Sequence, residues 1–221
     1  MKEPRPLLLA FALAAAVDLG SLAAGFDTGH TVAKPLLMPL LAGYAALSGA
    51  PRTLVAALLF GWGGDLALLF DAEPAFLLGM ASFAAGHVCY LLLFRAPGTH
   101  RPFLLAGYAV ALTTTVASLW PDLPADLRIP VAGYSLLLTA MAYRAGARCG
   151  AVAGIGGALF LLSDTLIAVG VAEWPEPPRP DLWIMLTYIA AQFLLVTGAL
   201  RALAARPHPA ATYGEVRSPT P

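Results

Sequence analysis

The sequence predicts an all-α, polytopic membrane protein: a single bundle of eight transmembrane helices with both termini on the cytoplasmic side. Of its 221 residues, 59% are hydrophobic and only 12% are charged, about half the charged fraction of a soluble domain. Short breaks rich in proline, glycine or charge divide the apolar sequence. The zero net charge gives no reason to expect a nucleic-acid partner, and two cysteines argue against a disulfide framework.

A helix needs about 20 apolar residues to cross the hydrocarbon layer of a bilayer. The first candidate follows Lys2 and Arg5 as a signal peptide would, but its apolar run continues to residue 24, so we expect a retained helix. We expect a transmembrane domain over 1–205 and a disordered cytoplasmic tail over 206–221, where Pro, Ala, Thr and Ser predominate. The predicted spans are 6–25, 31–48, 53–70, 75–95, 102–120, 129–143, 150–171 and 182–204.

The positive charges predict the orientation of the bundle. If successive spans alternate in direction, ten of the thirteen Lys and Arg residues lie on the side of the two termini, which is therefore cytoplasmic. The other three are Lys34, Arg128 and Arg179, on the opposite side, where most loop carboxylates also lie. We expect a multi-pass protein of a bacterial-type inner or plasma membrane.

Two aspartates, Asp65 and Asp164, interrupt long apolar runs in the third and seventh spans. Each costs about 3 kcal/mol at the middle of a membrane helix, so such residues usually face a partner or a wet cavity. Asp65 lies six residues before Asp71, roughly 9 Å from the outer helix end, and Asp164 lies at a similar depth. Glycines at 61–64 and 154–157 allow close helix approach and could bring these two helices together.

Further polar side chains share this outer, non-cytoplasmic layer. Lys34 lies near the outer end of the second span, and Tyr188 and Gln192 lie one to three turns into the eighth. His87 and Tyr90, in the fourth span, lie deeper. These residues also have ordinary structural alternatives. Lys34 could snorkel to the membrane interface, and Tyr188 could belong to the aromatic belt. Gln192 could form a hydrogen bond between helices, and His87 could be a core residue.

Two carboxylates held close together do not both ionise readily, so the pair offers an acid and a base at neutral pH. Such a pair suits a reaction that protonates a poor base and adds water to the resulting cation. A zinc site is the rival interpretation, but of the four histidines only His87 lies within a predicted span, away from the depth of Asp65 and Asp164. We therefore expect neither a metal nor a cofactor.

Several short motifs follow one another over about residues 30–200. They are Lys34-Pro35-Leu36, Gly64-Asp65, Phe76-x-x-Gly79-x-x-x-Phe83-x-x-x-His87-x-x-Tyr90, Gly157-Ala158-Leu159-Phe160-x-x-Ser163-Asp164 and Tyr188-x-x-x-Gln192. In this order and spacing the motifs resemble the YhhN-like family of lysoplasmalogenases. The first span and the tail carry no such signature, so we interpret Asp18, in the outer half of the first span, as a helix-packing residue.

This resemblance implies an integral membrane hydrolase that cleaves the vinyl ether bond of lysoplasmalogens to a fatty aldehyde and glycerophosphoethanolamine or glycerophosphocholine. Its partners would be a lysophospholipid, water and the bilayer. Asp65 and Asp164 would supply general acid and base catalysis, in either order. The residues expected to bind substrate are Lys34, His87, Tyr90, Tyr188 and Gln192.

Other functions fit the same carboxylates. A proton-coupled or lipid-binding transporter also places aspartates within the membrane, although the sequence shows no matched pair of interrupted helices. A structural or accessory subunit is a third alternative. Within the enzyme reading, the substrate could be a different lysolipid ether or ester.

Overall fold

The computed structural model describes residues 4–96 and 98–205, and this part of the chain is all-helical. Five of its helices (α1, α4, α5, α7 and α8) are long and apolar enough to cross a membrane, which agrees with the predicted multi-pass membrane protein. The predicted tail, 206–221, lies outside the described residues. The eight helices of the described part are α1 (Arg5–Ala24), α2 (Asp27–Leu47), α3 (Arg52–Ala67), α4 (Glu73–Leu93), α5 (Pro102–Leu119), α6 (Arg128–Cys149), α7 (Ala151–Val171) and α8 (Pro180–Ala204).

The predicted boundaries of α2 and α3 are wrong by about one turn. Gly25 ends α1 in the left-handed conformation, at φ 70°, so the chain reverses at once and α2 begins at Asp27. His30, expected outside the spans, therefore lies in α2. α3 ends at Ala67 because the next residues form tighter i→i−3 turns, such as Phe70 N–H to the Ala67 carbonyl.

The sixth helix is longer than the predicted 129–143, since α6 continues to Cys149. The charge of Arg144 suggested a loop, but its guanidinium lies within the bundle and donates hydrogen bonds to the carbonyl oxygens of Phe94 and Ala96 at the end of α4. These carbonyls have no helical donor, so the arginine satisfies them and joins α6 to α4.

α8 lies at the centre of the bundle, in contact with α1, α2, α6 and α7. Consecutive antiparallel pairs surround it, with α1 packed on α2, α3 on α2 and α4, and α7 on α6. α5 is peripheral: it packs on α6 and α7 and has one buried residue, Leu119. The polar residues on α3, α4, α6, α7 and α8 therefore point into a shared interior.

Two adjacent glycines hold α7 tightly between its neighbours. A Cβ atom on Gly156 would lie 2.8 Å from the backbone nitrogen of Leu195 in α8, and one on Gly157 would lie 2.7 Å from Cα of Ala142 in α6. The expectation that such glycines join α3 to α7 is wrong, because they face α6 and α8 while α3 packs mainly on α2 and α4.

A proline inside α2 explains one link between α2 and α3. Pro39 has no N–H group, so the carbonyl oxygen of Pro35, one turn earlier, lacks its helical donor. The indole Nε1 of Trp62 in α3 donates to that oxygen at 2.9 Å. Within a membrane such a freed carbonyl needs a protein donor, and this bond fixes α2 beside the part of α3 that carries Asp65.

Candidate active site

Asp65 lies on α3, three residues after Trp62, and only 2% of its surface is exposed. Its Oδ2 atom accepts a hydrogen bond of 2.8 Å from the hydroxyl group of Tyr188 on α8. Lys34 on α2 is close enough for its charge to act on this carboxyl group, and so is Asp164 on α7. The buried carboxyl group is thus held by one hydrogen bond and lies within the field of a cation.

A chain of hydrogen bonds leads from Asp65 into the bundle. The amide Nε2 of Gln192 donates to the Tyr188 oxygen over a long 3.4 Å, and the hydroxyl group of Tyr90 on α4 donates to Gln192 Oε1 at 2.7 Å. Gly61 leaves room for these groups: a Cβ atom there would lie 3.1 Å from Gln192 Nε2 and 3.2 Å from the Tyr188 oxygen. Each donor in this chain, from Tyr90 to Gln192 to Tyr188, donates to the next group in the direction of Asp65.

Asp164, on α7, has a matching arrangement. The hydroxyl group of Tyr134 on α6 donates to Asp164 Oδ2, and Nε2 of His87 on α4 lies 3.0 Å from the Tyr134 oxygen. Because the single hydroxyl proton of Tyr134 goes to Asp164, His87 must donate from Nε2 and is then the Nε2–H tautomer. Its Nδ1 atom is buried without a hydrogen-bond partner in the described structure. The direction of donation again runs toward the aspartate.

Aromatic rings link the two aspartate networks. The ring of Phe160 meets Tyr188 edge to face at 5.4 Å and His87 at 4.7 Å between ring centroids. Phe83 packs edge to face on Phe160 and on Tyr188, at 6.2 and 5.9 Å. A Cβ atom on Gly64 would lie 2.5 Å from the Phe83 ring, so this glycine lets the ring reach the side of Asp65.

No hydrogen bond joins Asp65 to Asp164 among the contacts of the described residues; each is held by its own tyrosine. Phe83 contacts Tyr188 on one side and borders an open cleft with Asp164 on the other. The two carboxyl groups therefore face one interior from opposite sides of a small aromatic cluster, with Asp65 the more enclosed.

Lys34 is 8% exposed and lies one turn after His30 on α2, and His30 pairs with Asp18 of α1. Asp18, fully buried, accepts a 2.8 Å hydrogen bond from Nδ1 of His30, and its second oxygen has no hydrogen-bond partner among the described residues. Asp18 also acts electrostatically on Asp65. A buried lysine beside two buried carboxyl groups is a site for an anion or for an ion-paired network.

A narrow cleft between α4, α5, α6 and α7 ends at Tyr134 and Asp164. It encloses about 730 Å³ when the space on its open side is counted, but only about 60 Å³ of this admits the centre of a water-sized sphere, so the cleft is narrow and partly open. Its walls are apolar over most of its length. The larger wall residues are Phe76, Met80, Phe83, Val116, Leu119 and Leu138.

The structure brings most of the predicted site residues together. Tyr188 contacts Asp65, and Gln192 contacts Tyr188. His87 and Tyr90 do not bond to an aspartate directly. His87 bonds to Tyr134, the partner of Asp164, and Tyr90 bonds to Gln192, which in turn bonds to Tyr188. Neither His87 nor Tyr90 lines the cleft. Within the described ranges no three His, Cys, Asp or Glu side chains gather as a metal site requires.

Sequence reasoning missed Tyr134, Phe83 as a wall of the site, and Phe160. Counting residues could have found Tyr134, because it lies six residues into α6 from Arg128, the same number that separates Asp65 from Asp71. Its hydrogen bond to Asp164 makes the tyrosine part of the site. A small polar residue also helps position Asp164: Ser163 Oγ donates to the Ile184 carbonyl of α8 at 3.0 Å.

Comparison with known proteins identifies relatives of this chain. A model described as the YhhN family matches residues 29–199. The chain is 38% identical over 153 residues to lysoplasmalogenase TMEM86B of Homo sapiens, covering 69% of this chain and 66% of that protein. It is 38% identical over 159 residues to lysoplasmalogenase TMEM86B of Sus scrofa, covering 72% and 68%. It is 30% identical over 155 residues to lysoplasmalogenase TMEM86A of Homo sapiens, covering 65% and 63%.

The chain spans just under two thirds of the length of the human TMEM86B protein, and slightly more of the porcine one. No solved structure matches the chain.

Proposed function

Because the chain belongs to the YhhN family, we propose that it is a lysoplasmalogenase-like hydrolase. It cleaves the vinyl ether bond of a lysoplasmalogen and releases a fatty aldehyde and glycerophosphoethanolamine or glycerophosphocholine. The observation that carries the proposal is the pair of buried aspartates, each held at one oxygen by a tyrosine hydroxyl group. The names of the relatives are consistent with this activity.

The reaction needs one proton donor and one water molecule. A proton adds to the vinyl carbon remote from oxygen, which leaves a positive oxocarbenium ion on the adjacent carbon. Water attacks that carbon and loses a proton, giving a hemiacetal. The hemiacetal then breaks its bond to the glycerol oxygen, which takes up a proton. The overall reaction adds one water molecule and gives an aldehyde and an alcohol. In glycoside cleavage, which passes through a similar oxocarbenium ion, carboxylic acids act as the proton donor and as the stabilising carboxylate.

In our proposal Asp164 is the proton donor. It borders the apolar cleft, so a substrate lying there reaches it first. Tyr134 occupies its Oδ2 atom, which keeps a proton on Oδ1, the oxygen that this bond leaves for the substrate. His87, as an Nε2–H donor to Tyr134, holds the tyrosine in that orientation.

Asp65 acts as the second carboxylate. A negative carboxylate stabilises the oxocarbenium ion and orients the attacking water molecule. Tyr188 fixes its Oδ2 atom, and the Gln192 and Tyr90 chain fixes Tyr188. Tyr188 and Gln192 are also the groups nearest Asp65 that can bond to the glycerol oxygens or to water.

Lys34 binds the substrate phosphate in this proposal. It is a buried cation close enough to act on Asp65, and it does not line the apolar cleft. The reactive vinyl ether lies between the phosphate and the hydrocarbon chain of a lysoplasmalogen, so a phosphate at Lys34 and a chain in the cleft place that bond between the two aspartates.

We also propose that all eight helices cross the membrane, with both termini cytoplasmic and the site in the outer half of a bacterial-type inner membrane. The alternation of positive charge between loops supports this arrangement. The hydrogen bonds of Tyr188 to Asp65 and of Tyr134 to Asp164 also support a shared level for these residues.

The deciding experiment is product analysis by mass spectrometry. The full chain, purified in detergent, receives a lysoplasmalogen, a saturated ether analogue and a lysophospholipid ester in parallel. We expect aldehyde from the vinyl ether and no product from the other two. Release of fatty acid from the ester would replace this proposal with an ester hydrolase. Uptake of the lipid into liposomes without any product would favour a transporter.

A further inference from the structure

The cleft that ends at Asp164 is closed on most sides. α6 and α7 pack so closely that Gly157 lies against Ala142. The connection between α5 and α6 folds over the outer end, where Leu119, Leu123 and Leu127 form a separate buried apolar cluster. A ligand therefore cannot enter the cleft between α6 and α7 or past the connection between α5 and α6.

Polar contacts hold this outer cover in place. Arg128 donates from its guanidinium to the carbonyl oxygens of Leu123 and Pro121, at 3.1 and 3.0 Å. The indole Nε1 of Trp174, in the connection between α7 and α8, donates to Asp122 Oδ2 at 2.8 Å. The cover is therefore a fixed part of the fold rather than a loose loop.

One side remains open. α4 and α5 both line the cleft, yet between these two fully described helices there is at most marginal contact. α5 is also the most lipid-exposed helix, with Leu119 as its one buried residue. The gap between α4 and α5 therefore faces the hydrocarbon layer of the bilayer.

We propose that the cleft binds the single hydrocarbon chain of the lysophospholipid substrate, which enters sideways from the bilayer between α4 and α5. The proposal rests on the proposed function for the identity of the substrate. The occupant follows from the chemistry of the walls, which are mostly apolar; the polar lining residues are Thr115, Tyr134, Ser135, Asp164 and Thr165. A mostly apolar cleft with a carboxyl group in its wall matches an amphiphile with one chain and one polar end. Because the chain lies against these walls, we expect kcat/KM to depend on the length of the substrate chain.

Two valines on the same helix provide a matched test. Val116 lines the cleft, whereas Val110, on α5, is 65% exposed and does not. Val116→Trp fills part of the cleft, and Val110→Trp adds the same bulk on the lipid side. We expect Val116→Trp to lower kcat/KM for a long-chain lysoplasmalogen relative to a short-chain one about tenfold, the effect of excluding roughly two methylene groups from the cleft. Val110→Trp keeps the wild-type ratio.

A binding readout separates this proposal from the catalytic one. A saturated ether lysophospholipid with a photoreactive diazirine at the end of its chain is crosslinked to the protein in nanodiscs, and the labelled peptides are mapped. We expect labels on α5 and α7 beside the cleft and about tenfold less labelling in Val116→Trp. If Val116→Trp does not fold, Ala168→Phe fills the same cleft from α7.

Cleft labelling that Val116→Trp or Ala168→Phe removes, in a protein that hydrolyses no vinyl ether, would support the chain site and refute the proposed function. Vinyl ether hydrolysis with an unchanged chain-length ratio and unchanged labelling in folded variants would overturn the chain site alone.

Discussion

The hydroxyl group of Tyr134 donates a hydrogen bond to Oδ2 of Asp164, across the interface between α6 and α7. The same relationship joins Tyr188 to Asp65 across a different pair of helices. In each case the tyrosine bonds to Oδ2 of the aspartate. A hydrogen bond contributes about 0.5–1.5 kcal/mol to a neutral carboxyl group and about 1.5–3 kcal/mol to a charged one, which favours one orientation of each carboxyl group.

The proposed mechanism gives the two aspartates different roles, so we expect Asp65→Asn and Asp164→Asn each to abolish aldehyde release. Asparagine keeps the shape of aspartate but can neither give an acidic proton nor carry the negative charge. The measurement is aldehyde formation by purified protein, with equal expression and equal elution from a sizing column. Asp71→Asn, on the exposed connection between α3 and α4, serves as the control with unchanged activity. Full activity in either site variant would end the acid–base proposal.

Tyr134→Phe removes the bond to Asp164 and leaves the ring. We expect kcat to fall roughly 10- to 100-fold, because Asp164 becomes charged when it gives up its proton and a hydrogen bond to a charged group is worth about 1.5–3 kcal/mol. The pH profile of kcat should also change, since the tyrosine decides which oxygen carries the proton. Tyr143→Phe, on the same helix but outside the site, gives the reference rate. An unchanged kcat and pH profile in Tyr134→Phe would mean that the ring only fills space.

Lys34→Gln tests the phosphate contact. We expect KM for a lysoplasmalogen to rise about tenfold or more, as loss of one charge-assisted hydrogen bond predicts. For an alkenylglycerol, which has no phosphate, we expect the variant and the wild type to have the same KM. The comparison of both substrates in both proteins isolates the phosphate. An equal loss on the two substrates would show instead that Lys34 acts on Asp65.

Gly157→Ala should destabilise the bundle by about 1–3 kcal/mol, because an added Cβ forces α6 and α7 apart in a well-packed core. The added atom would lie 2.7 Å from Cα of Ala142, part of the backbone, which cannot rotate away. Thermal unfolding in detergent measures the loss. Gly107→Ala, on α5 with nothing within 4 Å, should unfold at or above the wild-type temperature. A Gly157→Ala protein as stable as the wild type would contradict the close packing.

The sequence could predict which residues lie at a matching position along neighbouring helices, but not the rotation of each helix about its axis. Counting residues from loop charges predicts that Asp65, Tyr188 and Gln192 lie at a similar level, and the structure joins these three side chains by hydrogen bonds. Membrane helices are apolar on every face, so no amphipathic stripe shows which side points inward. For this reason nothing in the sequence indicates that Tyr134, rather than Asp65, is the neighbour of Asp164.

The ends of the helices could be predicted less well than their number. The charge of Arg144 predicts a loop, but its hydrogen bonds to the carbonyls of Phe94 and Ala96 allow it to lie within a helix. Those acceptors lie 48 and 50 residues away in the chain, so local sequence cannot reveal them. The same holds for Trp62 and the carbonyl of Pro35 in α2.

His87 and Tyr90 lie three residues apart on α4, and each belongs to the hydrogen-bond chain of a different aspartate. His87 acts on Asp164 through Tyr134, and Tyr90 acts on Asp65 through Gln192 and Tyr188. Phe76, Met80 and Phe83 of the same helix form one wall of the apolar cleft. One helix therefore carries a wall of the cleft and the far end of both hydrogen-bond chains. Under the proposed function, a shift of α4 on substrate binding would change the setting of both carboxyl groups together.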